Sequence, residues 1–324
     1  MSINTLIEWC MHSLSPWWGC TKVSPGCLHC YMMTLLKRWK GGKHCGKGAP
    51  RLRIESFEKN ALKLEKRAVK LGVRQTVFPS MCDPFDEEVP IEWFADMLDV
   101  IRRTPHLDWL LLTKRPENWR SRTNDAHAWL CHPAKTYSEA QKATSAFISN
   151  WWIGMSPENV WIGTSVEDQT RATDRIPLLL QIPARVRFLS CEPLLGAVDL
   201  NHSIGGPKWL GDQRGIDWVI VGGESGPGTR PMHPDWARSL RNQCAAEGVP
   251  FFFKQWGQWK PSDAKPVRGK YTGGGVYMLP DGRWGCQGDW WDGKATAMDR
   301  VGKKAAGRLL DGVEHNALPQ ARLS

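Results

Sequence analysis

The sequence predicts an α/β protein built on a TIM-like β/α barrel, complete or partial, with a β-rich appendage at its C-terminal end. Six short apolar runs recur along the chain, and each ends in polar or glycine residues. Most of them are followed by a stretch in which apolar residues recur at helical spacing. Continuously apolar strands that alternate with amphipathic helices are typical of a parallel sheet covered by helices. An open doubly wound sheet is the alternative, but no G-x-G-x-x-G follows the first strand.

The predicted strands have the length and composition of buried parallel strands. They cover residues 75–79, 109–112, 160–163, 186–189, 218–221 and 250–253, with a shorter strand near 17–19. The predicted helices cover residues 56–70, 91–103, 169–180 and 234–247. In the last helix, Trp236, Leu240 and Cys244 recur every fourth residue, and Gly248 follows as a C-cap.

Polar side chains follow the ends of all six longer strands. A polar loop explains one or two such residues, but it explains six consecutive strand ends poorly. In β/α barrels the carboxyl ends of the strands carry the active site. We therefore expect the functional site among these residues: Ser80, Asp83, Thr113, Lys114, Ser165, Glu167, Ser190, Glu192, Glu224 and Lys254.

Two segments interrupt this repeating unit. Residues 117–159 are longer than one helix requires, so we expect an insertion there within the barrel of residues 1–256. Residues 257–324 are rich in Gly and Trp, including the run Gly273-Gly274-Gly275. Within them, Pro280-Asp281-Gly282 predicts a hairpin turn between short strands at 277–279 and 283–284. We interpret residues 257–324 as an appendage packed on the barrel.

Composition excludes several classes of protein. The chain has 324 residues, of which 41% are hydrophobic and 23% charged, as in ordinary globular proteins. No apolar run approaches the roughly 20 residues of a membrane-spanning helix, and no secretory signal is evident. The ten cysteines are therefore expected in a reducing compartment such as the cytoplasm.

Positive charge is concentrated in residues 37–74. This segment has thirteen Lys or Arg and three Glu, an excess equal to the net charge of +10 of the whole chain. Such a patch is typical of proteins that bind nucleic acid, while a solvated helix face is the alternative. The 19 Trp residues outnumber Phe and Tyr together, and tryptophans either fill cores or stack on bases.

Three cysteines are clustered directly after the first predicted strand. Cys20, Cys27 and Cys30 have the spacing C-x6-C-x2-C, and Pro25-Gly26 allows the tight loop that would bring their sulfurs together. A [4Fe–4S] cluster takes four ligands, so three thiolates leave one iron open to a small molecule. The alternative is a structural zinc site whose fourth ligand is His29, Cys10 or Cys45.

Several longer segments match a known family. They are residues 19–27, 112–116, 188–196, 221–228, 252–257 and 307–312. In these segments the chain resembles a three-Cys-motif family that is frequent in phages and prophages and similar to radical S-adenosylmethionine enzymes. The resemblance implies a barrel of the radical type and a [4Fe–4S] cluster on Cys20, Cys27 and Cys30. It also implies S-adenosyl-L-methionine as a second cofactor and a partner that donates electrons to the cluster.

The resemblance also implies roles for residues that follow the earlier strands. Ser80 and Asp83 occupy the position where such enzymes contact the methionine amino group. Lys114 or Arg115 would pair with the methionine carboxylate, as a cation does.

Residues after the later strands would contact the rest of the cofactor. Ser165 and Glu167 follow the strand where ribose hydroxyls are usually held. Gly222 and Gly223 would allow the backbone to approach the adenosine closely.

Three residues are candidates for contact with the substrate. Glu192 and Glu224 follow strands whose ends would face it. Cys191 could donate a hydrogen atom to a substrate radical, or it could be a small buried residue of the core.

The function predicted from these observations is a [4Fe–4S]-dependent radical S-adenosylmethionine enzyme that repairs or modifies nucleic acid through segment 37–74. One alternative is a zinc-stabilised protein that binds nucleic acid without catalysis. Another is a barrel hydrolase that uses paired carboxylates chosen from Glu167, Glu192 and Glu224. Of these two alternatives, only the zinc protein also explains the three cysteines.

Overall fold

A computed structural model of the chain describes residues 2–132, 136–200, 209–210, 215–263 and 275–319. In these residues the strands are β1 (Ser2–Ile3), β2 (His12–Ser13), β3 (Trp17–Trp18), β4 (Leu52–Arg53), β5 (Gln75–Phe78), β6 (Leu107–Thr113), β7 (Val160–Ser165), β8 (Val186–Cys191), β9 (Trp218–Gly222), β10 (Phe251–Gln255), β11 (Trp259–Pro261), β12 (Val276–Met278), β13 (Trp284–Gly285) and β14 (Thr296–Arg300). The helices are α1 (Tyr31–Lys40), α2 (Phe57–Leu71), α3 (Ile91–Arg102), α4 (Asn118–Leu130), α5 (Glu139–Trp152), α6 (Gln169–Leu180), α7 (Pro234–Ala246), α8 (Gln287–Trp291) and α9 (Lys303–Ala306), with a 3₁₀ turn at Pro25–Cys27.

The main sheet has its strands in the order β1-β2-β5-β6-β7-β8-β9-β10. From β2 to β10 every neighbouring pair is parallel, so the described residues contain seven parallel strands in chain order. A sequential order of this kind belongs to a barrel rather than to a doubly wound sheet, in which the order reverses. The sheet curls into a half-barrel, which confirms the partial form of the predicted barrel.

Alternate residues of the strands point to two separate cores. Leu111, Leu189 and Val219 belong to the large core between the sheet and its helices. Their neighbours Leu110, Phe188 and Trp218 belong to a second, smaller core on the concave side, together with the buried ring of Trp9. We call this second group the inner cluster; it consists of Trp9, Cys10, Leu110, Trp161, Val186, Phe188, Trp218, Ile220 and Phe252. A glycine on β7 makes room for it, since a Cβ on Gly163 would lie 2.4 Å from the Phe188 ring.

The first barrel strand differs from the predicted one. Trp17–Trp18 forms β3, which pairs with β4 in a separate antiparallel ribbon. The strand that joins the parallel sheet is β2, in which His12 is buried and its Nε2 lies 2.7 Å from Oε1 of Gln75. β2 is a polar strand of two residues and has no apolar pattern. The neighbouring tryptophans are apolar, so the sequence placed the first barrel strand at them instead.

The connection between β6 and β7 contains two helices, α4 and α5, where one crossover helix would suffice. These helices occupy most of residues 117–159, where an insertion was expected; residues 133–135 lie outside the described part. No helix in the described residues has both the length and the apolar character needed to cross a membrane.

The C-terminal appendage contains an antiparallel sheet in the order β11-β14-β12-β13. Met278 pairs with Trp284 across the predicted hairpin turn, and the backbone N–H of Leu279 donates to the carbonyl of Arg283 at 2.9 Å. Met278 and Met298 extend the large core, so this sheet packs against the barrel. Gly273 and Gly274 lie outside the described residues.

Candidate functional site

The three cysteines of the C-x6-C-x2-C motif lie on a loop above the carboxyl ends of the strands. Cys20 follows β3 and forms an isolated parallel bridge with Cys45. Cys27 is the last residue of the 3₁₀ turn, and Cys30 directly precedes α1. All ten cysteines of the chain are among the described residues, and all are free thiols. We call residues 20–31 the cysteine loop.

Part of the cysteine loop packs against apolar side chains. Cys20, Cys30 and Cys45 pack against a small cluster formed by Met32, Leu36 and Met81. Burial raises the pKa of the Cys20 thiol to about 12, assisted by nearby Asp83 and opposed by Arg115. Cys45 was assigned no role from the sequence, except as one possible fourth zinc ligand. Its position beside Cys20 distinguishes it from Cys10, which lies in the inner cluster.

Glu167 attaches the cysteine loop to the end of β7. Its Oε1 accepts a hydrogen bond from Ser24 Oγ at 2.5 Å, and its Oε2 accepts one from Arg175 Nη1 at 2.8 Å. Gly26 packs directly against this carboxylate, since a Cβ there would lie 2.5 Å from it. Burial opposes ionisation of Glu167, but Lys114 and Arg175 outweigh it and lower the pKa of Glu167. One carboxylate oxygen therefore holds the loop, and the other is held by an arginine of α6.

Glu224 attaches the same loop to the end of β9 through Arg230. The guanidinium of Arg230 donates to both oxygens of Glu224, at 2.5 and 3.0 Å, and also to the carbonyl of Pro25 at 3.0 Å. Nearby, Gly228 packs on the ring of His29, where a Cβ would lie 3.0 Å from Cε1. Glu224 therefore acts on the loop through an arginine.

Arg115 attaches the beginning of the loop to the end of β6. It donates to the carbonyl of Thr21 at 2.9 Å, to Asp83 at 3.0 Å and to the sulfur of Cys20 at 3.5 Å. Asp83 also accepts from Thr113 Oγ1 at 2.6 Å and from the backbone N–H of Lys114 at 3.0 Å. Asp83 and Arg115 thus form part of the attachment as well. We call Asp83, Arg115, Glu167 and Glu224 the rim residues.

A second set of strand-end residues faces the concave side of the sheet. Each continues the alternation of its strand from a position whose side chain faces that side. For example, Lys114 follows Leu112, and Gly222 follows Ile220. We call these the inner-face residues: Ser80, Lys114, Ser165, Glu192, Gly222 and Lys254.

Four of the six inner-face residues form two polar pairs above the inner cluster. Lys114 Nζ donates to Ser165 Oγ at 3.0 Å. Lys254 Nζ donates to Glu192 Oε1 at 2.7 Å. Gly222 lies beneath this ion pair, since a Cβ there would be 3.3 Å from the Glu192 carboxyl carbon. Burial opposes the charge on Lys114, but Glu167, Cys27 and Cys30 raise its pKa, so this cation lies among the loop thiols.

Tyr31 and Ser80 connect the cysteine loop to β2 and to the end of β5. The hydroxyl of Tyr31, which directly follows Cys30, donates to the carbonyl of Ser80 at 2.5 Å. Ser80 Oγ lies 2.5 Å from Oγ of Ser13 on β2. The start of α1 is therefore fixed above the inner face.

Two sequence-predicted residues do not reach the site. Cys191 is fully buried in the large core, and its pKa is raised by burial, with Cys244 of α7 as the next contribution. Because it alternates with inward-facing neighbours, it does not reach the barrel mouth, which corrects its assignment as a hydrogen-atom donor. Gly223 is required by the backbone, since a Cβ there would lie 1.9 Å from the carbonyl oxygen of Trp256.

The three glutamates proposed for a hydrolase do not form a carboxylate pair. Glu167 is paired with Arg175, Glu192 with Lys254 and Glu224 with Arg230. A glycosidase-type mechanism needs one protonated carboxyl as general acid. Glu167, with a lowered pKa, has the opposite property.

The residues present fit a three-thiolate cluster. Three free thiols share one loop, and the cations of Lys114 and Arg115 beside them would offset the negative charge of the cluster and its thiolates. In a cubane each thiolate binds a different iron, so the sulfurs need not converge on one point. Among the described residues no group of three or more His, Cys, Asp or Glu side chains is arranged to hold a single metal ion.

The comparisons with known proteins give a family and no activity. The profile of a family described as "Protein of unknown function (DUF5131)" matches residues 4–319. The chain therefore belongs to this family. Neither the curated proteins nor the solved structures contain a match to it.

Proposed function

We propose that this member of the DUF5131 family is a [4Fe–4S]-dependent radical S-adenosylmethionine enzyme that repairs or modifies nucleic acid. The observation that carries the proposal is the cysteine loop, with three free thiols, attached at three points to the open mouth of a parallel half-barrel. The mouth is the face where barrels of this type carry their chemistry. A site of this kind requires a reducing compartment such as the bacterial cytoplasm.

Cys20, Cys27 and Cys30 would hold the cluster as thiolates. When bound, the cluster would supply the electron, taken from an external donor protein, for reductive cleavage of S-adenosylmethionine. Lys114 places a cation beside Cys27 and Cys30, where it would pair with the methionine carboxylate. Ser165, hydrogen-bonded to Lys114, would present its hydroxyl to the ribose.

Asp83 and Glu167 act differently in this proposal from their sequence-predicted roles. Their carboxylates hold the loop, so they position the cysteines instead of contacting the cofactor. The Glu192–Lys254 pair is left to orient the substrate from the opposite side of the mouth. The inner cluster closes the floor of the site with apolar rings and excludes water from below.

The test is metal content and cofactor cleavage after anaerobic reconstitution. We expect about four iron and four sulfide per chain, in keeping with a three-thiolate cubane, and slow release of 5′-deoxyadenosine from S-adenosylmethionine by the reduced protein. Cys27→Ala should abolish both the visible absorbance and the cleavage. Cys131→Ala is the matched control, because Cys131 is an exposed thiol at the end of α4. A protein that binds stoichiometric zinc and no iron would contradict the proposal.

A structural zinc site is the second candidate, and Cys45 is the observation that favours it. Cys45 places a fourth thiol beside Cys20 and against the same apolar cluster as Cys30. Four thiolates are a common ligand set for structural zinc. The same metal analysis therefore decides between the two candidates.

A further inference from the structure

The structure divides the basic segment of residues 37–74 into three parts. Arg51, Arg53 and Arg74 are paired with acids: Arg51 with Asp86 and Glu88, Arg53 with Glu55 and Asp96, and Arg74 with Asp108. These three arginines are therefore engaged within the fold. The other cations fall on two separate helices, α1 with its following loop and α2.

The cations of α2 are those of an ordinary exposed helix face. Lys59, Lys63, Lys66, Arg67 and Lys70 are exposed, but Glu58 and Glu65 are interspersed among them. The only aromatic residue of α2 is Phe57, and it is buried. Mixed charge without an exposed ring is typical of a solvated surface.

The C-terminal end of α1 differs from α2 in its charge and in having an exposed aromatic ring. Residues 9–54 contain eight Lys or Arg and no Asp or Glu. Five of these cations lie on the last turn of α1 and the loop after it, all are exposed, and in the described structure none has an ion-pair partner: Lys37, Arg38, Lys40, Lys43 and Lys47. We call these five residues, together with Trp39, the α1 face.

Trp39 provides an exposed aromatic ring among these cations. Its side chain is 53% exposed, and its ring lies 6.0 Å from the ring of Trp18, measured between centroids. The contact with Trp18 limits the orientations of the ring and leaves much of it accessible. A ring ordered in this way can stack on a base with little further loss of entropy.

We infer that the α1 face binds single-stranded or unstacked nucleic acid, with the five cations on the phosphates and Trp39 stacked on a base. This inference rests on the proposed function, because α1 begins directly after Cys30 and is ten residues long. At 1.5 Å per residue, its far end is about 15 Å from the cysteine loop. A strand held on the α1 face therefore places a nearby nucleotide within reach of the mouth, whereas α2 lies against α3 and β6 on the outside of the sheet.

The test is fluorescence anisotropy of a labelled single-stranded oligonucleotide with the full chain over a series of salt concentrations. Five phosphate contacts at about 0.7 each predict a log–log salt slope of about −3.5 for a single strand. The triple variant Lys37→Glu, Arg38→Glu, Lys40→Glu should flatten this slope by about two. The matched control reverses Lys63, Lys66, Arg67 and Lys70 on α2, and it should bind as the wild type does.

Substitutions of Trp39 test how much base stacking contributes to binding, separately from charge. Trp39→Ala should weaken binding of the single strand by about fivefold or more, since the stacking of one base on the ring is lost. The conservative Trp39→Phe should keep part of the affinity. Binding of a blunt duplex should be insensitive to either change, because its bases are not available to the ring.

The outcomes distinguish this inference from the proposed function. Oligonucleotide binding is measured on protein whose iron, sulfide and 5′-deoxyadenosine release are recorded separately, so either property can fail alone. Equal loss of binding in the α1 and α2 variants, or an unchanged affinity in Trp39→Ala, would overturn the inference. So would binding to vesicles of anionic lipid, lost in the α1 variant, without binding to the oligonucleotide.

Discussion

The rim residues and the inner-face residues follow the same strands, but they contact different parts of the molecule. Asp83, Arg115, Glu167 and Glu224 are buried and hold the cysteine loop through ion pairs and carbonyl contacts. Lys114, Ser165, Glu192 and Lys254 pair with one another across the concave side. A polar residue at a strand end can thus either build the site or contact what enters it. Parity along the strand does not decide which, because Glu167 has the parity of Ser165 and Glu224 has that of Gly222; the contacts made in the folded protein do.

The largest expected difference between the two sets is in stability. Glu167→Gln removes the partner of buried Arg175 and should lower the free energy of unfolding by about 3 kcal/mol. Glu192→Gln breaks a pair that is partly exposed, and it should cost about 1 kcal/mol. Urea unfolding of the metal-free proteins measures both, and equal costs would contradict the distinction between rim and inner face.

The pH dependence of the unfolding free energy tests the sign of the contribution that Glu167 makes to stability. The pKa of Glu167 in the folded protein is lowered from its ordinary value of 4.5. Its ionised form therefore stabilises the fold above that pH, and the stabilisation is lost as the pH falls through the lower, folded value. The difference in unfolding free energy between wild type and Glu167→Gln should be constant near neutral pH and shrink below about pH 4.5. A difference that grows in acid would contradict this assignment.

Much of the fold could be predicted from the sequence because its signals are local. The helix predicted at 169–180 has those bounds in the structure, and each predicted strand from residue 75 onward overlaps an observed one. The site was harder, because its contacts are remote in sequence. Ser24 and Glu167 are 143 residues apart, and Pro25 and Arg230 are 205 residues apart. No local pattern identifies Ser24, Arg175 or Arg230 as parts of one attachment.

The side-chain parity was available in the sequence but was not decisive there. Ser190, Cys191 and Glu192 are consecutive, and alternation requires that the middle residue face away from the other two. Which face is concave depends on how the sheet curls, and the packing of Phe188 and Trp218 against Trp9 shows it. The sequence also left Cys45 as one of three possible fourth zinc ligands, because it follows Cys30 at no recognised ligand spacing.

A smaller effect is expected where the rim acts through a single arginine. Arg230→Lys retains a positive charge but cannot contact both oxygens of Glu224 and the carbonyl of Pro25. Losing one charged hydrogen bond of about 1.5 kcal/mol should speed loss of iron to a chelator by about tenfold. Arg238→Lys is the matched control, because Arg238 pairs with Asp311 and Asp235 away from the loop. Iron loss at the same rate in both variants would show that Arg230 does not position the loop.

The smallest effect on metal content is expected for a substitution of Cys45. It tests whether Cys45 is a metal ligand or only a neighbour of the three ligands in the cysteine loop. If the rim residues hold a three-thiolate site, Cys45 is a neighbour of the ligands rather than one of them. Cys45→Ala should then retain about four iron and four sulfide per chain, as a site with three cysteine ligands does. The expected cost is only the packing of one small side chain against Met32, Leu36 and Met81. Loss of bound metal in Cys45→Ala, at the level seen for Cys27→Ala, would instead assign four cysteine ligands. With zinc as the metal found, that result would favour the structural site over the radical enzyme.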